Sequence, residues 1–230
     1  MCKDKLLSWI KLSVSYIFVT FVSENLNEMK LAVITHPSYF VEEDKILTAL
    51  FDEGLEDLHL HKPDTSPLFA ERLLSLLPEN VYRKITVHEN YYLCQEYKLA
   101  GIHLDGEQQP VPTNYKGNVS RTCHSLEQLK EMKKKTRYVF LKGAFDNTAD
   151  NASADGFSAE ELAEASKRGL IDRHVYAIGG VNPDNIKMLR DLGFGGVVVG
   201  ENLWNCFDIH NEQDYKNIIA HFARLYKIIR

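Results

Sequence analysis

Cysteine is scarce in this chain, with Cys2, Cys94, Cys123 and Cys206 spread irregularly over 230 residues. No CxxC pair occurs, and the density is far below that of a secreted disulfide scaffold, so a reducing, cytoplasmic setting is expected. The thiols read as small buried groups, with Cys123, beside a candidate catalytic histidine, as the one that could be exposed. An excess of positive charge is also missing: 27 Lys and Arg stand against 32 Asp and Glu, for a net charge of −5. That balance leaves no electrostatic footprint for DNA or RNA, and no nucleic-acid partner is expected. HExxH and HxxxH spacings are absent, as are internal repeats and low-complexity tracts.

Long apolar runs are missing except near the start, where Lys3 and Lys5 precede the stretch Leu6 to Val22. It resembles a signal sequence, but Lys11 and several serines interrupt it, and no small-x-small cleavage site precedes the polar run Ser23 to Glu28. Seventeen residues would barely span a bilayer, which takes roughly 20. Residues 1–29 are read as an N-terminal extension, with Met29 as the true start and an export or anchoring leader as the other reading. No membrane partner is expected.

What is there is a rhythm. From Lys30 onward short strand-like runs alternate with amphipathic stretches, the pattern of repeated βα units and a parallel sheet. Eight strands are expected: Leu31–Thr35, Asp57–His61, Lys84–His88, Gly101–Leu104, Asn118–Thr122, Arg137–Leu141, His174–Ile178 and Gly196–Val199. Helices are expected at Asp44–Phe51, Pro67–Leu77, Leu126–Lys134, Ala159–Lys167, Asn185–Leu192 and Glu212–Ile229, several with caps: Ser125, Ser158 followed by Glu160 and Glu161, and Asn182 before Pro183. Gly106 to Gly117, with two prolines, reads as a loop. Eight units favour a closed α/β barrel, a single (β/α)8 domain over residues 30–230, whose active site is built by the loops at the C-terminal strand ends.

That rule selects an unusual set of side chains. His36, His61, His88, His103 and His124 fall at or just past the ends of strands one to five. Period-two alternation turns His59 and His61 away from Leu58 and Leu60, toward the barrel axis, and likewise His88 and His103. Three imidazoles can bind a metal, but a general acid or base among them is the stronger reading, since imidazole titrates near neutral pH. At the other side of the mouth, Gly179 and Gly180 leave strand seven, while Gly200 leaves strand eight. Glycines there let a backbone approach phosphate oxygens, at the standard phosphate site of this architecture.

HVYAIGGVNP from His174, GIHL from Gly101 and VSRTCHSLEQ from Val119 together resemble the thiamine phosphate synthase and TenI family, over nearly everything after Met29. The resemblance implies a TIM barrel and a small phosphorylated thiazole substrate. Synthases join a pyrimidine methyl pyrophosphate to a thiazole phosphate with Mg²⁺; the TenI branch includes a tautomerase that aromatises a thiazole carboxylate phosphate. Where synthases carry Gln-Leu-Arg-Glu-Lys this chain has His59-Leu60-His61-Lys62-Pro63, and their Asn-Asp pair falls on His88-Glu89. Their metal-binding aspartate falls near Gln108, and the pyrophosphate segment on strand six reads Lys142 to Thr148 without Thr-Pro-Thr-Lys.

The TenI-like branch is therefore favoured. Its proton shuttle matches His124, its phosphate would sit at Gly179, Gly180 and Gly200, and His59, His61, His88 and His103 would shape the pocket. Lys142 either pairs with substrate or is solvated. No cofactor is expected in this branch. In the alternative, a divergent synthase, Mg²⁺ would be held by Glu89, Asp105 and Glu107. A catalytically silent binder of thiamine precursors is the third reading, and a homo-oligomer remains open.

Overall fold

The structure, a computed structural model, describes residues 29–106, 108–144, 156–208 and 215–230. Eight strands form it: β1 (Lys30–Ile34), β2 (Asp57–Leu60), β3 (Ile85–Val87), β4 (Gly101–Leu104), β5 (Asn118–Cys123), β6 (Val139–Lys142), β7 (Val175–Ile178) and β8 (Gly196–Val199). All pair in parallel, each with its neighbours in sequence, and β8 returns to β1 to close the barrel. Each lies within two residues of its expected span, because short β-branched runs between turn residues leave the pleat little room to slide.

The helices are α1 (Glu43–Asp52), α2 (Pro67–Leu76), α3 (Tyr92–Glu96), α4 (Leu126–Met132), α5 (Ala159–Lys167), α6 (Ile186–Asp191), α7 (Glu201–Trp204) and α8 (Lys216–Ile229), with a 3₁₀ segment at Glu79–Lys84. The fourth unit has no helix among its described residues, as the two prolines predict. Ser158 forms the full capping box with Glu161. Asn182 does not cap a helix at Pro183: its side chain closes a turn onto the Asp184 amide, and the helix begins three residues further on. The N-terminal extension and the segment 145–155 lie outside the described residues. No helix among the described residues is long and apolar enough to cross a membrane.

The two faces of the sheet bury different chemistry. Leu31, Val33, Leu58, Leu60, Ile85, Val87, Ile102 and Leu104 face outward into a large apolar layer shared with the helices. The inward positions hold Ala32, Tyr138, Phe140, Tyr176 and Val198, together with the buried His59, His103, Thr86 and Ser120. Tyr138 and Tyr176 stack at 4.7 Å, and Phe140 packs on the rings of His59 and His103. The barrel is thus filled by an aromatic and polar layer instead of the usual branched aliphatic ones. Cys94 and Cys123 are buried in the outer layer, so Cys123 is not an exposed thiol: as the last residue of β5 it points away from the mouth where His124 emerges.

Candidate active site

A hydrogen-bonded column rises through the barrel. The Tyr138 hydroxyl lies 2.9 Å from His59 Nε2, and His59 Nδ1 lies 2.8 Å from His88 Nε2. His88 Nδ1 in turn lies 2.8 Å from Asp105 Oδ2 at the mouth. His103 stacks on His88 at 4.3 Å and has both nitrogens engaged, by Ser120 and Thr122. Burial pushes His59 and His103 well below the ordinary imidazole range, so both are neutral. Instead of lining the pocket as expected, these two lie beneath it, fully buried and with no nitrogen left for a substrate. The alternation on β2 and β4 pointed them inward; nothing in it marked their depth.

His61 and His88 reach higher. His61, just past β2, places Nδ1 2.5 Å from Glu89 Oε1, and its backbone amide is held by the Thr35 hydroxyl at 3.0 Å. Burial works to lower the His61 pKa, but the hydrogen bond and charge of Glu89 outweigh it and leave the imidazole above its usual value. Burial likewise works to raise Asp105, yet contact with His88 holds that carboxylate below its usual range. The mouth therefore presents two imidazole–carboxylate pairs side by side, with the His61 and His88 rings 4.8 Å apart. Asp105 and Glu89 were expected only as metal ligands in the synthase alternative; Glu107 lies outside the described residues.

Two cations near the mouth are committed to the protein itself. Lys62 is buried and its ammonium donates to Glu43 Oε1 at 2.5 Å, His36 O at 2.7 Å and Ser38 O at 3.1 Å. Arg121, also buried, donates to the carbonyls of Gly106 and Gln109 and so holds the loop after β4. Sequence reasoning missed both roles. For Lys62 the available signal was the helical spacing of α1, in which Glu43 stands on the same buried face as Ile46, Leu47 and Leu50.

Across the mouth, Gly179 and Gly180 adopt φ of 98° and 61°, which turns the chain sharply out of β7. Ile178 pairs with Val198, so this loop and the one after β8 leave at the same level. The amides of Gly179, Gly180 and Gly200 donate to no group among the described residues. Three open N–H groups at adjacent strand ends suit a phosphate. Gly200 has a packing reason as well, since a Cβ there would come within 2.5 Å of Ile34 Cγ2. Lys142 ends β6 exposed, and His124 stands exposed past β5, its amide donating to Gln128 Oε1 while its ring meets no partner among the described residues. His36 is set apart from the other mouth histidines, against Trp204 and Phe40.

Mg²⁺, which the synthase resemblance implies, prefers oxygen ligands and retained waters. Here the carboxylates of Glu89 and Asp105 are each bonded to an imidazole, and two imidazoles share the position. That donor set does not fit Mg²⁺.

The sequence model of the family described as thiamine monophosphate synthase matches residues 69–203, more than half of the chain. A solved structure from Bacteroides thetaiotaomicron, titled thiamine phosphate pyrophosphorylase, is 47% identical with a TM-score of 0.80, covering 87% of this chain and 97% of that one. Another of that title, from Pyrococcus furiosus, shares the fold at 19% identity and a TM-score of 0.68, covering 88% of this chain and 96% of its own. The thiamine-phosphate synthase of Flavobacterium johnsoniae is 22% identical over 83% of this chain and 92% of its own. With the closed barrel, the glycine loops after β7 and β8 and these matches together, the chain belongs to the thiamine phosphate synthase/TenI family.

Proposed function

We propose that the protein works in thiamine biosynthesis on a single thiazole phosphate, held at the loops after β7 and β8, and moves a proton on its ring with His124 as general acid and base. The observation that carries the single-substrate reading is the commitment of Lys62 and Arg121 to the protein's own carboxylate and carbonyls. Joining a pyrophosphate to a phosphate calls for positive charge enough for two anions and a departing pyrophosphate. Proton transfer asks less: one oriented ring, one anchored phosphate and an imidazole that titrates near neutral pH. Lys142, exposed at the end of β6, would supply the charge to meet a substrate carboxylate.

The test is the rate at which the purified chain aromatises the thiazole carboxylate phosphate tautomer, followed by ultraviolet absorbance, beside a His124→Ala variant. Loss of about 10²- to 10⁴-fold in the variant is expected. Turnover indifferent to His124 would sink the reading. The names of the relatives favour a second reading, coupling of the pyrimidine pyrophosphate to thiazole phosphate, and Mg²⁺-dependent formation of thiamine phosphate would establish it. Tight binding of thiazole phosphate with neither reaction would leave a regulatory binder.

A further inference from the structure

We propose that His61, His88 and Asp105 form a site for one divalent transition-metal ion of the imidazole-preferring kind, for which Zn²⁺ is the simplest probe. The reaction proposed above needs no metal, so this inference does not rest on it. One ligand atom from each of the three residues can be chosen so that all lie within 4.8 Å of one another. Ligands at 2.0 to 2.2 Å around a tetrahedral ion stand about 3.4 Å apart, so side-chain shifts of about 1 Å close the set. Two imidazoles and one carboxylate leave coordination positions open, the arrangement of catalytic Zn²⁺ and non-haem iron sites. Asp105 is 46% exposed and His61 30%, so those positions face solvent.

The shell behind the ligands is already in place. His61 engages Glu89 through Nδ1, which leaves Nε2 with no partner among the described residues and, when Nδ1–H donates to that carboxylate, carrying the lone pair. His88 can ligate through Nδ1 in place of the hydrogen it shares with Asp105, because its Nε2–H then donates to His59 Nδ1 and the His59 Nε2–H to the Tyr138 oxygen. Every proton in the column has an acceptor in that arrangement. A rival trio, His59, His88 and His103, also gathers, but His59 and His103 have both nitrogens engaged and no path to solvent. Seating an ion there would break an internal hydrogen bond at both His59 and His103, whereas His61 Nε2 at the mouth has none to lose.

The experiment is equilibrium dialysis and calorimetric titration of the full-length, metal-stripped chain with Zn²⁺ alone and with Mg²⁺ alone. One Zn²⁺ per chain, bound at micromolar affinity or tighter, is expected, with no saturable Mg²⁺ uptake in the same range. His61→Asn and Asp105→Asn should each weaken Zn²⁺ by tenfold or more, and Glu89→Gln, behind the ligand, by about ten- to a hundredfold. His174→Gln, remote from the mouth, should change nothing. His61 and Asp105 are chosen because both are solvent-accessible and their replacement leaves the buried column intact; unchanged thermal melts without metal confirm that. Absence of stoichiometric Zn²⁺, uptake indifferent to the His61 and Asp105 variants, or preference for Mg²⁺ would each overturn the proposal. None of these readouts depends on turnover.

Discussion

Lys62 is 3% exposed and Glu43 1%, a combination that two opposite charges reach only when each satisfies the other. Burial drives the Glu43 carboxyl up to about 7 and the Lys62 ammonium down from its ordinary value, so the pair holds against strong desolvation. All three Lys62 donors have acceptors, while Glu43 Oε2 is buried with no donor among the described residues. Glu43→Ala should therefore strand the ammonium and destabilise by about 3 to 5 kcal/mol, measured by urea unfolding, whereas Glu43→Gln with Lys62→Met should come much closer to the parent. Equal losses in both variants would contradict this account. At this scale the sequence was legible in residue direction and mute on depth. Alternation turned His59, His61, His88 and His103 inward, but only strand tilt and ring packing put His59 and His103 below the mouth and His61 and His88 at it.

At the scale of the element, legibility tracked the strength of local chemistry. Ser158 and Glu161 fix the start of α5 at Ala159, where the sequence placed it, because both ends of the capping box are local hydrogen bonds. Ser158→Ala should lower stability by about 1 kcal/mol in thermal unfolding, and no change would mean that packing of Leu162 and Ala165 alone sets that helix. The helix α3 escaped notice because five residues offer less than two turns of periodicity. The cap at Asn182 misled for a related reason: asparagine closes turns as readily as it caps helices, and here its partners Asp184 and Asn185 complete a turn first.

The whole molecule carries one electrostatic signature that no single element does. Its interior histidines His59 and His103 are held neutral by burial, while an unfolded chain protonates them below about pH 6.5. Below that pH the unfolded state binds more protons, so stability falls with acid by up to about 1.4 kcal/mol per pH unit for each. Asp57, 3.6 Å from His59, acts in the opposite sense. Burial lifts its carboxyl to about 6, so between the ordinary carboxylate range and pH 6 the folded state keeps a proton that the unfolded chain has lost. Asp57→Asn should remove that offset and steepen the acid loss of stability between about pH 6 and pH 4.5, read from denaturant midpoints. Parallel profiles would exclude the coupling. The barrel itself was legible because eight βα units admit few arrangements, whereas its polar filling depends on side chains from five strands meeting across the axis.

The closure of β8 onto β1 has a consequence for how the protein is made. Lys30 pairs with Gly196, so β1, the first of the eight strands to leave the ribosome, must wait for the eighth. Until then β1 offers an unpaired edge to any other chain in reach, and the ring can lock only after all eight strands have emerged.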